Sequence, residues 1–361
     1  MSIVTIIGAG MMGSTMSRPA DDNGHQVRLV GTPLDREIIS AIKQHQPHPT
    51  LHRKMPDRLE AYYAEELVSA LQGADLVIGG ISSFGVEWFA STVLPLLPAG
   101  ALVLSITKGL QGYPDGRLEP FPTYLTSQRP DVKFMAVGGP CICFELMDRR
   151  HTMVYYCGEN ITTVKKVCTM LATDYYHITP TDDLIGIECG AAMKNAYAMG
   201  VSLAVGMAER EKGICDDCNV TPNCIPGAPD LNPIYNPQAA LFAQSCREMS
   251  ALIKILGGNP ALICDLAGAG DLYVTVFGGR TRRLGTLLGR GIPYTQVKEL
   301  LSGVTLEAVV IITRVAAALR TRATTGKADL KQFPLLLHMD AILNDGQAVN
   351  PDWDSFVKSI Y

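Results

Sequence analysis

Several short stretches of this chain carry residue types whose spacing could do chemistry. Gly8-Ala9-Gly10-Met11-Met12-Gly13 follows the apolar run Ile3–Ile7 and opens a helical stretch. A strand, a G-x-G-x-x-G turn and a helix together form a phosphate cradle. Gly8 permits the tight turn, Gly10 lets the main chain approach a pyrophosphate, and Gly13 allows close helix–strand packing. A plain strand–helix turn is the alternative. Lys108 lies in Ser105-Ile106-Thr107-Lys108-Gly109-Leu110, at the carboxyl end of another apolar strand. Ligands of open parallel sheets lie outside that edge, so Lys108 would point into a cleft; otherwise it is a solvated loop lysine. Gly138-Gly139-Pro140 is a rigid turn that could form a floor under a nicotinamide ring.

Two stretches further on suit proton transfer and anion binding. Lys194, in Glu188-Cys189-Gly190-Ala191-Ala192-Met193-Lys194-Asn195, is surrounded by small residues that let other elements approach. Loss of hydration there would lower its pKa and suit it to proton exchange near neutrality. The alternative is a lysine that reaches solvent or pairs with Glu188. Asp271 sits among glycines in Leu266-Ala267-Gly268-Ala269-Gly270-Asp271-Leu272-Tyr273-Val274-Thr275, ahead of Gly278-Gly279-Arg280-Thr281-Arg282-Arg283. Gly-Gly-Arg before a helix offers main-chain amides and a forked guanidinium to an anion.

The elements that must position these groups follow from the hydrophobic pattern. Ile3–Ile7, Gln26–Val30, Leu76–Ile81, Leu102–Ile106, Lys133–Val137 and Thr152–Tyr156 read as strands, several apolar on both faces, as in a parallel sheet covered on both sides. Asp57–Gln72 and Val86–Leu97 read as crossover helices, and Ile161–Ala172 as a later one. From Leu184 the period is helical, with Leu241–Leu256, Thr295–Leu301 and Thr305–Arg320 as further helices. Two domains are expected: a doubly wound α/β dinucleotide-binding domain over 1–185 and an all-α catalytic and substrate-binding domain over 186–361. A Pro/Cys-rich loop inserts at about 213–237.

Composition narrows the classes. With 361 residues, 47% hydrophobic and 18% charged, the chain is too well cored for disorder or a coiled coil. Lys and Arg total 31 against 35 Asp and Glu, a net charge of −4, which gives no basic footprint for nucleic acid. The 10 cysteines fall mostly in apolar runs, as in a reducing, cytoplasmic setting. The apolar stretch Leu184–Ala208 carries Glu188, Lys194 and Asn195, so a buried helix is expected there rather than a membrane span. Cys215, Cys218 and Cys224 resemble half of a zinc site without partner ligands, and no metal is expected. The second strand ends Val30-Gly31-Thr32-Pro33 with no acid to grip a ribose; the nearest, Asp35, adjoins Arg36, so NAD or NADP stays open.

In order and spacing, GAGMMG, SITKGL, GGPC…E, IECGAAMKNAY, LAGAGDL…T and GGRTRR resemble the NAD(P)-dependent glycerol-3-phosphate dehydrogenase family. The likeness runs from the first strand to Thr305–Ala318. It implies a Rossmann domain followed by a helical domain of the 6-phosphogluconate-dehydrogenase type, a homodimer, and interconversion of dihydroxyacetone phosphate and sn-glycerol 3-phosphate. It implies Lys194 as catalytic acid/base, assisted by Lys108 and Asp271, with Asn195, Thr275, Arg280 and Thr281 at a phosphorylated substrate. Coenzyme contacts would be Gly8, Gly10, Met11, Met12, Gly13, Thr32, Ser82, Lys108, Pro140, Arg280 and Glu307. The chain departs from the family at Thr281 (usually Asn), at Cys141-Ile142-Cys143-Phe144, at Ala308 (usually Gly) and at Gln244 (often Arg). The rival readings are the same chemistry on a larger polyol or sugar-acid phosphate, and a non-catalytic NAD(P) sensor.

Overall fold

The computed structural model describes residues 1–215 and 234–358, so Cys218 and Cys224 lie outside the described residues. Its strands are β1 (Ile3–Ile7), β2 (Gln26–Val30), β3 (Glu60–Tyr62), β4 (Leu76–Gly79), β5 (Leu102–Ser105), β6 (Leu110–Gly112), β7 (Leu118–Pro120), β8 (Lys133–Gly138), β9 (Thr152–Cys157) and β10 (Tyr176–Thr181). Eight of them form one sheet in the order β10-β9-β8-β5-β4-β1-β2-β3. Strands β3, β2, β1, β4, β5 and β8 run parallel, in the doubly wound order. Strand β9 is antiparallel to β8, and β10 parallel to β9, so the sheet is mixed rather than wholly parallel.

The chain forms two compact units: Met1–Gly109 with Pro120–Glu188, and Leu110–Glu119 with Cys189–Tyr361. In the first, alternate residues of each strand feed opposite layers. Val4, Ile6, Leu76, Ile78 and Leu104 join one buried cluster, while Ile7, Val77 and Val103 join the other. Thr5, also buried, gives its hydroxyl to Ala70 O at 2.8 Å. The second unit has a single helical core that includes Leu110 and Leu118, the apolar ends of the β6–β7 hairpin. The hairpin's ten residues, Leu110–Glu119, belong to the second unit although the hydrophobic pattern places 1–185 in one domain.

Three helix and strand expectations need correction. Asp57–Gln72 is not one helix: β3 pairs with β2, Val30 opposite Tyr62, before a short helix at Leu67–Leu71. The aromatic Tyr62 and Tyr63 favour an extended pairing over a helix. Val86–Leu97 breaks into a helical turn, a π segment over Phe89–Val93 and a 3₁₀ turn over Leu94–Leu96, where Pro95 removes an N–H. Strand β10 adds to the expected strands: Pro180 breaks the sequence signal for it, and Pro is tolerated there because β10 is an edge strand. Among the described residues no helix is long and apolar enough to cross a membrane, and no cluster of His, Cys, Asp or Glu could hold a metal.

Candidate active site

In the first unit the proposed coenzyme residues follow the carboxyl ends of neighbouring parallel strands: Gly8 to Gly13 after β1, Thr32 after β2, Ser82 after β4, Lys108 after β5 and Pro140 after β8. Gly8 holds φ +105°, and a Cβ there would lie 2.5 Å from Gly80 O. A Cβ on Gly13 would lie 2.2 Å from Gly8 O, and one on Gly80 2.8 Å from Gly13 Cα. Strand, turn and helix thus meet through glycines. In the sequence Gly80 falls inside the expected strand Leu76–Ile81; the strand ends at Gly79, which frees Gly80 for this contact. A Cβ on Gly10, by contrast, would meet no protein atom within 4 Å. Gly10 precedes the helix Met11–Thr15, whose first turn carries Met11 and Met12. The open side at Gly10 fits a dinucleotide pyrophosphate.

The turn is held at Ala9 by two side chains the sequence did not single out for this. The Ala9 N–H donates to Asp35 Oδ2 at 3.1 Å, and the Ala9 carbonyl accepts from His48 Nε2 at 2.8 Å. Asp35 Oδ2 also receives the Thr32 N–H at 2.8 Å and its hydroxyl at 2.7 Å. His48 is buried, and its Nδ1 accepts from the Leu51 N–H at 3.1 Å, which makes it the neutral Nε2–H tautomer. Burial lowers its pKa. A shallow pocket beside this loop is lined by Gly31, Thr32, Arg36 and Tyr63, with Arg36 5.0 Å above the Tyr63 ring and paired to Glu65. The loop bearing Lys108 is tied to β4: Ile106 N donates to Gly79 O at 3.0 Å, and the Thr107 hydroxyl to Ile81 O at 2.8 Å.

In the second unit, Lys194 Nζ donates to Asp271 Oδ1 in a short ion-paired bond. The Asp271 side chain is fully buried and that of Lys194 14% exposed, so the pair is dry with an opening on the lysine side. Lys194 therefore has Asp271, not Glu188, as its partner. The small residues explain the approach. A Cβ on Gly190 would lie 2.6 Å from Ala267 O, so the helix Leu184–Glu211 meets the π segment Leu266–Gly270 backbone to backbone. That segment delivers Asp271 as the first residue of the helix Asp271–Val276. One turn on, the Thr275 hydroxyl caps Asp271 O at 2.6 Å. Asn195 Nδ2 donates to Glu307 Oε2 at 3.4 Å. Arg280 is exposed at the start of the helix Gly279–Gly289, with half-buried Thr281 next to it. Arg282 is tied back to Val276 O at 3.0 Å. Gln244 is buried between Glu248 and Arg247 at 2.8 and 2.9 Å, a structural placement.

A doubly wound sheet with a Gly-rich turn, followed by a helical unit with a buried Lys–Asp pair, defines a two-domain nicotinamide-dependent dehydrogenase. The chain belongs to the NAD-dependent glycerol-3-phosphate dehydrogenase family, whose N-terminal model matches residues 3–163 and C-terminal model residues 183–352. It is 33% identical to an NADP(+)-dependent glycerol-3-phosphate dehydrogenase of Archaeoglobus fulgidus, over 82% of this chain and 83% of that one. It is 24% identical to a glycerol-3-phosphate dehydrogenase [NAD(P)+] of Bacillus velezensis, over 100% of this chain and 95% of the other. The crystal structure of glycerol-3-phosphate dehydrogenase from Coxiella burnetii shares the fold, with a TM-score of 0.76 at 21% identity, covering 99% of this chain and 98% of that one.

Proposed function

We propose that this chain is an NAD(P)-dependent glycerol-3-phosphate dehydrogenase that interconverts dihydroxyacetone phosphate and sn-glycerol 3-phosphate. The buried Lys194–Asp271 pair carries the reading. A coenzyme sensor needs the Gly-rich turn but not a desolvated lysine–carboxylate pair beside Thr275 and Asn195.

The first unit would hold the coenzyme, with its pyrophosphate at Gly10 and the flanking helix amides and its remaining parts along Thr32, Ser82, Lys108 and Pro140. The chemistry the coenzyme would supply when bound is a hydride for the ketone carbon. Lys194 Nζ gives its proton to the ketone oxygen, and its own hydrogen bond to Asp271 fixes where that proton points. The Asp271 side chain, fully buried against Lys194, holds Nζ in place while the proton leaves. Thr275 and Asn195 would orient the substrate, and Lys108 would add positive charge toward the developing alkoxide. A positioned acid contributes about 10²–10⁴-fold, and a positioned charge about 10²–10³-fold. Arg280, with Thr281, would hold the substrate phosphate, and binding that remote group orients the carbonyl. Arg280 and Glu307 are also proposed coenzyme contacts.

The test is the loss of reduced-nicotinamide absorbance with dihydroxyacetone phosphate and either NADH or NADPH. Turnover only with a longer polyol or sugar-acid phosphate would move the substrate assignment; none with any ketone phosphate would leave the sensor reading. A homodimer in the cytoplasm is proposed alongside. Sedimentation would test the dimer, and fractionation of cells the compartment.

A further inference from the structure

The helix Leu184–Glu211 carries, six residues before Lys194, a carboxyl that the reaction above does not use. Glu188 is fully buried, and among the described residues neither of its oxygens has a hydrogen-bond partner. The same fold shows how it treats a buried glutamate with a structural task. Glu248, equally buried, accepts from the Leu335 N–H at 2.7 Å, the Leu336 N–H at 2.9 Å, Gln244 Nε2 at 2.8 Å and the Tyr197 hydroxyl at 3.0 Å. A buried polar group without such partners is costly and calls for an explanation of its own, a catalytic task among them.

On the 3.6-residue period Glu188 shares a helix face with Ala191, Ala192 and Asn195. The charge that acts on it is the Lys108 ammonium, from the loop after β5, which favours the carboxylate. Cys157, at the end of β9, feels the carboxyl in turn, as it does Asp183 at the start of the helix. Burial keeps the Cys157 thiol protonated and neutral, whereas the Lys108 ammonium favours the Glu188 carboxylate. Against that attraction, burial still pushes the Glu188 carboxyl up to about 8.

We propose that Glu188 is a positioning residue for Lys108: as the neutral acid it leaves the ammonium's charge to the reacting oxygen, and as the carboxylate it draws that charge to itself. No proton passes between the two groups in either state; the carboxyl exchanges its proton with solvent. The reading rests on the proposed dehydrogenase reaction.

The test compares kcat/KM for ketone reduction at pH 7 and pH 9 in the wild type and in Glu188→Gln, which holds the group permanently neutral. One pH unit above its pKa, about a tenth of the carboxyl remains protonated. The ratio of the rate at pH 9 to that at pH 7 should therefore rise about tenfold in the variant. A merely structural role would lower both rates together and leave the ratio unchanged, which overturns the proposal. A second measurement needs no substrate. Infrared difference spectra, wild type minus Glu188→Gln, which cancel the buried Glu248, should show a protonated carboxyl band at pH 7 that falls about tenfold by pH 9 and shifts when Glu188→Asp replaces the wild type. Should Glu188→Gln not fold, the Asp variant carries the assignment. A carboxyl already ionised at pH 7 overturns the proposal even if the enzyme proves to act on another ketone.

Discussion

Replacing Lys194 by Met removes the proposed acid and its charge while keeping the length and apolar body of the side chain. Two quantities follow from its surroundings. The fully buried Asp271 carboxylate would lose this cation, and breaking a buried pair costs about 3–5 kcal/mol of stability. Against a total of about 5–15 kcal/mol, that is survivable but must be measured by denaturation before any rate is compared. Asp271→Asn, added to the first change, removes the stranded charge and should recover part of the stability without recovering activity. The second quantity is catalytic. An acid worth about 10²–10⁴-fold and a charge worth about 10²–10³-fold act on the same oxygen, so a loss of at least about 10⁴ in turnover is expected, roughly 5.5 kcal/mol of barrier. Coenzyme titration by fluorescence should be nearly unchanged, since the glycine turn belongs to the other unit. Turnover within about tenfold of wild type, in a variant shown to be folded, would refute the assignment and pass the role to Lys108.

Arg280→Lys keeps a charge but loses the bidentate fork, so the substrate KM should rise more than kcat falls in steady-state kinetics. His48→Leu removes the donor to Ala9 O and should raise the KM for coenzyme severalfold with kcat little changed. Because burial lowers the His48 pKa, the unfolded chain takes up a proton first, so stability should fall as pH drops below 6.5, and denaturation midpoints should lose part of that slope in the variant. Neither coenzyme should be preferred by more than about 10³-fold. Arg36→Ala, beside Thr32, should weaken NADPH about tenfold and leave NADH unaffected, since the exposed pair with Glu65 yields readily to a 2′-phosphate. Glu248 is raised by burial from 4.5 to about 7, so the fold retains a proton that the unfolded chain releases in that window. Stability should therefore fall as pH rises from about 4.5 to 7, and urea titrations of Glu248→Gln should show a flatter dependence.

The parts of this molecule that obey a local rule were legible in the sequence. Strands β1, β2 and β8 are short apolar runs, the glycine turn has its strand and helix on either side, and Lys194 stands out because small residues surround it. What stayed hidden depends on contacts between distant residues. Nothing near Asp35 or His48 announces that they hold opposite sides of Ala9, 26 and 39 residues away. Lys194 could be singled out, but its choice of Asp271 over Glu188 lay in packing through Gly190. Short edge elements were lost for another reason. Strands β3, β6 and β7 have three residues each, too few to show a period.

The β6–β7 hairpin has a consequence for how the chain can be made. Leu110 and Leu118 belong to the core built by Cys189 onward, and Arg314 donates to Leu110 O. During synthesis these leucines emerge well before the helices that cover them, and must wait exposed until residue 314 and its neighbours arrive. A fragment ending at Glu188 would carry the same two side chains with nothing to bury them, so the half that looks self-sufficient by sequence should be the less soluble piece when expressed alone. The chain leaves the first unit after Gly109, returns to it at Pro120 and leaves again after Glu188, so no single cut separates the two units.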